Sequence, residues 1–230
     1  MILNDRQSEI IEFLKTEKRA SVKKLAGRFF VSEMTIRRDL KELEREGFLQ
    51  RYNGGAVYSA DYDRLPMETR KLLHAEQKKL LSEKTRNYLH DDISVYIDSS
   101  STCLYVIPLL SEYKGVKLIT NSVQCLLLAS KYHIPCVMAG GDWYEHDMCT
   151  VGGETDSFLR RINTDVGFFS ALAISDDGVI SDEDSMQTSA RRAAMENCQK
   201  IIFMLDSTKA HKKYTYTIAR IEDVDEILIV

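Results

Sequence analysis

Between Asn4 and Leu43 apolar residues recur every three or four positions in three separate runs. Ile10, Ile11 and Leu14 form the first stripe, Val22, Leu25, Ala26 and Phe29 the second, and Ile36, Leu40 and Leu43 the third. That spacing is the period of an amphipathic helix. Each run is preceded by a residue suited to cap it: Asn4, with Gln7 three places on, fits a capping box, and Ser21 and Ser32 are good N-caps. The first helix is predicted to run to about Thr16 and to be followed by a charged turn, EKRA. The second ends near Phe29, and only FVS separates it from the third. Two helices joined by about three residues make a helix-turn-helix. After Gly47, which suits a helix end, FLQRYNGGAVY predicts two short strands around an Asn-Gly turn, which is a wing.

From about Tyr58 the periodicity is lost. SADYDRLPMETR holds charges and Pro66 but no sustained apolar face, so it reads as a linker. A helix is predicted over HAEQKKLLSEKTRNYLHDD. Beyond it six apolar runs, ISVYID, GVKLIT, PCVMAG, DVGFFSALAI, KIIFMLD and EILIV, alternate with helical stretches near 101–112, 122–132, 154–162 and 185–198. Continuous apolar strands separated by helices predict a largely parallel sheet covered on both faces. The expected organisation is a winged helix-turn-helix domain over 1–58, a linker over 59–73, and a larger Rossmann-like α/β domain over 74–230.

Composition fits an ordinary globular protein, with 44% hydrophobic and 29% charged residues. The apolar runs fall far short of the roughly 18 residues that span a bilayer, so no membrane segment is expected. The start, MILNDRQSEI, has acids and helical periodicity where a secretory leader needs a basic end and an apolar stretch. Five cysteines without a CxxC pair read as reduced structural thiols of a cytoplasmic protein, and the five histidines show no metal-ligand spacing. No metal or cofactor is expected. Charge is uneven along the chain. Residues 1–58 hold 12 Lys and Arg against 9 Asp and Glu, a balance of +3, which leaves 19 against 26 in the rest. A small basic module attached to an acidic one suits local contact with a polyanion.

The third helix supplies the contact face. At about 100° per residue, Arg38, Lys41 and Arg45 lie opposite the Ile36, Leu40 and Leu43 stripe, with Met34 on the same side and Arg37 at its flank. The acids Glu33, Asp39, Glu42, Glu44 and Glu46 fall to the sides, where they can pair with bases. A solvated charged face would look the same in isolation. As the second helix of a helix-turn-helix it is placed to meet base edges in the major groove of double-stranded DNA. Arg51 beside the wing turn could reach a phosphate or a minor groove, and Gly54 and Gly55 either admit close approach or simply make the turn.

In the larger domain the ends of four predicted strands carry small, hydroxyl or glycine residues: DSSST, TNS, GGDW and DSTK. Ligands of parallel α/β sheets bind beyond the carboxyl ends of strands, where helix starts present donors to an anion. IDSSSTC, residues 97–103, is the richest of these, and helix cap, nucleophile and anion cup compete for it. A nucleophile has no G-x-S-x-G elbow or placed histidine to support it. Lys209, three residues after Asp206, offers a cation for the same anion.

SEMTIRRDLKELEREGFLQRYNGGAV is similar to the signature of the DeoR family of bacterial transcription regulators, in which a VS-x-x-TIRRDL-x-x-LE core precedes an R-x-x-GGA wing. Val31, Ser32, Thr35 to Leu40, Leu43, Glu44, Arg51 and Gly54 to Ala56 carry the match. With the geometry of the third helix, the resemblance implies DNA contacts from Ser32, Thr35, Arg37, Arg38, Lys41, Arg51, Gly54 and Gly55. It extends over nearly the whole chain and implies a sugar-phosphate-isomerase-like fold for the larger domain, with a phosphorylated sugar or related metabolite as effector. Asp98, Ser101 and Thr102 fit the family's D-x-G-T-T loop, with Ser100 where glycine and Ser101 where threonine is usual. Asn121 and Ser122 fit its T-N-S, Gly140 and Gly141 its G-G, and Asp206 and Lys209 its D-S-x-K. Arg192, three residues before Met195, stands where lysine is usual. The expectation is a repressor of a carbohydrate-metabolism operon, relieved by its effector and acting as a homo-oligomer, dimer or tetramer. Two alternatives stand beside it. One is an aldose-ketose isomerase using Asp98, Glu183, Asp184 and Lys209 as acid and base groups. The other is a DNA-binding regulator whose pocket has lost its ligand, for which Ser100 is the motive.

Overall fold

The computed structural model describes residues 3–58, 67–72 and 74–230. The chain divides into two compact units, Met1–Leu73 and His74–Val230. Of the linker expected over 59–73, residues 59–66 and 73 lie outside the described residues, and Met67–Leu72 forms a short helix, α4.

The first unit follows the three apolar stripes. Helices α1 (Asp5–Glu17), α2 (Val22–Phe29) and α3 (Glu33–Arg45) start where the caps stand: Asn4 and Gln7 close a capping box, and the hydroxyls of Ser21 and Ser32 accept from Lys24 N and Thr35 N. Ile10, Leu14, Leu25, Ile36, Leu40 and Leu43 meet in one core. Strands β2 (Leu49–Tyr52) and β3 (Gly55–Tyr58) make the wing hairpin. The expected turn EKRA is partly a third strand instead, β1 (Arg19–Ser21), which pairs antiparallel with β3. Only Ala20 of its three residues is buried, too short a pattern to read as a strand.

The second unit opens with α5 (Ala75–Lys84). The six apolar runs form one parallel sheet in the order β14-β12-β9-β4-β5-β6, with β4 (Ser94–Ile97), β5 (Lys117–Thr120), β6 (Cys136–Met138), β9 (Val166–Phe169), β12 (Ile201–Leu205) and β14 (Glu226–Ile229). Helices α6 (Ile107–Leu110), α7 (Val123–Lys131), α8 (Gly153–Leu159) and α9 (Ser185–Met195) occupy the connections. From β4 the chain adds β5 and β6 on one side, then returns to place β9 on the other. The gap beyond the ends of β4 and β9 is therefore the topological switch point, where ligands of such sheets bind.

Two features depart from the predicted pattern. The run DVGFFSALAI divides at Ser170, whose amide donates to Asp98 Oδ2 (3.0 Å) and whose hydroxyl donates to the Met204 carbonyl (2.8 Å). Taken out of the ladder there, the chain continues as β10 (Ala173–Ile174) in a separate antiparallel sheet with β11 (Val179–Asp182) and β13 (Tyr216–Arg220). A hairpin, β7 (Asp142–Tyr144) and β8 (Cys149–Val151), also had no counterpart in the reading of the sequence.

Candidate functional sites

In the winged unit, α3 presents Arg37, Arg38 and Lys41 to solvent, and Arg38 is 83% exposed. The acids beside them are paired. Glu33 meets Arg37 at 3.5 Å, Glu42 meets Arg38 at 3.3 Å, and buried Asp39 accepts both Nε and Nη2 of Arg6 on α1 (2.6 and 3.2 Å). That last pair fixes α3 against α1 and raises the Arg6 pKa, chiefly through the hydrogen bond to Asp39. Ser32 spends its hydroxyl on the helix start, accepting from Thr35 N (3.1 Å) and sharing a hydrogen bond with the Thr35 hydroxyl (2.9 Å). Arg51 is bound to α3: its backbone amide and Nε donate to the two carboxylate oxygens of Glu44 (2.8 and 2.6 Å), which hold that carboxyl below its usual range. A concavity of about 280 Å³ opens there, lined by Arg37, Glu44, Arg51, Tyr52 and Asn53 among others.

The two wing glycines differ. Gly54 sits at the turn with φ +96°, a backbone that glycine adopts without strain. Gly55 is buried, and a Cβ there would stand 2.4 Å from the Ala20 carbonyl and 2.4 Å from the Tyr52 hydroxyl. The close approach it permits is to its own unit, so its expected place against DNA is corrected to one of packing.

At the switch point of the second unit the carboxylate of Asp98 is the hub. Its Oδ1 accepts Ser100 N (2.9 Å); its Oδ2 accepts Ser170 N and Arg191 Nε (3.0 Å each). Arg191 also donates Nη1 to Asp182 Oδ2 at 2.8 Å, so one buried guanidinium lies between two buried carboxylates. Burial opposes its charge, but Asp182 and Asp98 more than offset this and raise its pKa above the usual value. The motif match had assigned this neighbourhood to Arg192, which is exposed on α9; the inward residue is Arg191. The helical period identifies it, since Gln187, Ala190, Arg191 and Ala194 form one buried stripe.

A second residue was missed. Lys78 on α5 is fully buried and donates Nζ to the Ser101 hydroxyl at 2.9 Å. It too lies on a legible stripe, with Leu81 and Ser82. Ser100 turns its hydroxyl to accept Cys103 N (3.2 Å), and its φ is not left-handed, so the serine needs no glycine conformation. Ser99 donates to Gln187 Oε1 (2.9 Å), and Gln187 Nε2 donates in turn to Asp147 Oδ2 (2.8 Å). Thr102, Asp206 and Lys209 are buried at the ends of β4 and β12, with Lys209 N donating to the Asp206 carbonyl (3.0 Å).

The T-N-S residues behave differently. Asn121 accepts the Tyr96 hydroxyl (3.1 Å) and donates to the Thr150 carbonyl (2.8 Å), while Ser122 caps α7 through Cys125 N (3.3 Å). Both are fully buried, and the bond from Asn121 to Thr150 ties β8 to the end of β5. Gly140 accepts the Thr155 hydroxyl on its carbonyl (2.7 Å), and Gly141, with φ +145°, leaves room for that same hydroxyl. The structure gives these four residues internal partners or packing roles at the carboxyl ends of β5 and β6, the strands that follow β4 in the sheet.

Family comparison separates the chain at the same place. Residues 6–61 match the DeoR-like helix-turn-helix domain, and residues 73–229 match the DeoR C terminal sensor domain. The chain belongs to the DeoR family. It is a DNA-binding transcriptional regulator with a sensor domain. Among curated relatives, the glycerol-3-phosphate regulon repressor of Escherichia coli (strain K12) is 26% identical over 223 residues, covering 96% of this chain and 88% of the relative. The L-fucose operon activator of Haemophilus influenzae is 27% identical over 226 residues, covering 98% and 91%. Among solved structures, eIF2B delta from Chaetomium thermophilum shares the fold with a TM-score of 0.51 at 9% identity, over 67% of this chain and 56% of that one. No described helix is long and apolar enough to cross a membrane.

Proposed function

We propose that this DeoR-family regulator is a repressor of a carbohydrate-metabolism operon whose operator affinity is set by a phosphorylated sugar at the switch point of the sensor unit. Fully buried Lys78 on the Ser101 hydroxyl, at the carboxyl end of β4, carries the reading. A buried ammonium beside hydroxyls and helix-start amides suits a phosphate. Thr102 and Lys209 complete the cup, while Asp98 and Arg191 brace its floor. In the winged unit, Arg37, Arg38, Lys41 and Arg51 meet the duplex, with Ser32 and Thr35 fixing the start of the reading helix and Gly54 allowing the wing turn. Ligand control requires different affinities for two arrangements of paired winged units, which calls for a symmetric homo-oligomer matched to two half-sites. A cytoplasmic setting agrees with five free cysteines.

A binding role is favoured over isomerase chemistry because both oxygens of Asp98 are engaged and Asp184 is spent on the α9 cap and the Tyr144 hydroxyl. A thermal-shift screen against phosphorylated sugars tests the reading. A ligand at 100 times its dissociation constant stabilises by about 2.7 kcal/mol, and Lys78→Met should abolish that shift. No shift from any phosphorylated sugar, or an equal shift from the unphosphorylated parents, would overturn it; turnover of a sugar phosphate would favour the isomerase.

A further inference from the structure

Phosphates and hydrogen bonds leave two side chains at the head of α3 unexplained. Phe30 is 94% and Met34 is 75% exposed, the highest values among the large apolar residues described. They bracket Ser32, the cap of α3. Phe30 ends α2 in a left-handed conformation, φ 53°, which is uncommon for a bulky residue. Met34 stands one turn before Arg38, and the two line one open concavity of about 490 Å³ together with Thr35. Neither Phe30 nor Met34 is covered by the described residues of its own unit.

The neighbouring polar groups are already engaged within the helix. Thr35 is bonded to Ser32, Arg37 is paired with Glu33 and Arg38 with Glu42. Each therefore shares its donors between that partner and any base it meets. Met34 carries no such pairing to break, and its flexible thioether adapts to an irregular surface. On the major-groove edge, thymine alone offers an apolar group, its C5-methyl. The cations Arg37, Arg38 and Lys41 surrounding Met34 select a polyanion over an apolar protein partner.

We propose that Met34 reads a thymine methyl in the major groove, with Phe30 extending the apolar contact at the same end of the helix. Operator choice then rests partly on methyl groups. The inference depends on DNA binding by the winged unit and is independent of the effector.

The full-length protein would be used to select duplexes from a random-sequence library, and each thymine of the selected duplex replaced in turn by deoxyuridine, which removes only the methyl. At one or two positions the replacement should weaken binding roughly fourfold, the factor equivalent to about 0.8 kcal/mol for one buried carbon. Met34→Ala should weaken binding to the thymine duplex by at least that factor and become indifferent to uracil there. Phe30→Asn, which suits the left-handed backbone, should lessen the sensitivity without unfolding the unit. Wild-type protein indifferent to uracil at every position, or Met34→Ala retaining full sensitivity, would overturn the proposal. So would a change of oligomeric state in either variant, which would reassign the patch to a protein contact. Selection without any enriched sequence would instead remove the DNA reading beneath it.

Discussion

Replacing Arg191 by Met leaves Asp98 and Asp182 without their shared counter-charge, whereas the same change at Arg192 removes only an exposed side chain. Breaking a buried ion pair costs about 3–5 kcal/mol, while surface changes stay within about 0.5 kcal/mol. Urea unfolding of the two variants should separate them by that margin; equal midpoints would mean that the guanidinium does not bind the switch point together. The sequence made the chemistry of this corner legible, an Asp and hydroxyls at a strand end with a base on a later helix. The motif could not say which of two adjacent arginines turns inward. The burial stripe of α9 could, because an arginine joins an apolar stripe only where carboxylates receive it. Lys78 was overlooked for the related reason that its partner is a hydroxyl 23 residues away. The thiols give a second test. Burial pushes Cys136 up to about 11 and Cys125 and Cys149 up to about 12. Since the thiolate is the reactive form, these groups should alkylate slowly at pH 8, with rates rising about tenfold per pH unit below each pKa. A fast reaction of Cys125 or Cys149 at pH 7 would contradict their buried placement.

At the scale of elements, what the sequence displayed well were long, uniform patterns. Three helical stripes and six continuous apolar runs became three helices and one six-stranded parallel sheet, because each is long enough to express its period. Of the elements that escaped, the β7–β8 hairpin and β10 have strands of only two or three residues, and β1 and β13 pair with strands distant in sequence. Their pairing depends on contacts such as Ala20 with Ala56, which no local pattern announces. The wing shows the consequence. Gly55→Ala places a Cβ against the Ala20 carbonyl and the Tyr52 hydroxyl. Overpacking of this kind costs about 1–3 kcal/mol, and here it falls on the joint between β1 and the hairpin. The variant should lose DNA affinity in parallel with thermal stability of the winged unit. Ser32→Ala removes a cap worth about 1 kcal/mol and should lower stability with a smaller loss of binding. Intact stability with lost binding in Gly55→Ala would return that glycine to the DNA surface.

The whole molecule carries a net charge of -4, yet its first 58 residues are basic by three. A net-acidic protein that binds DNA does so through a local field, and acids on that same surface moderate it. On α3 each of Arg37 and Arg38 has an intrahelical carboxylate within 3.5 Å. Released to a phosphate, each cation displaces condensed counterions, so affinity must fall steeply with salt. A residue that contacts a phosphate contributes about one unit to the slope of log affinity against log salt, whereas one that reads a base adds sequence discrimination. Lys41→Ala should therefore reduce the slope by about 1 and weaken all sequences alike. Arg38→Ala, if it reaches a base edge, should cost about 1–3 kcal/mol on the selected sequence and much less on others. Titrations at several salt concentrations on a selected and a scrambled duplex distinguish the two. An unchanged slope for Lys41→Ala would move the phosphate contact to Arg37 or Arg51.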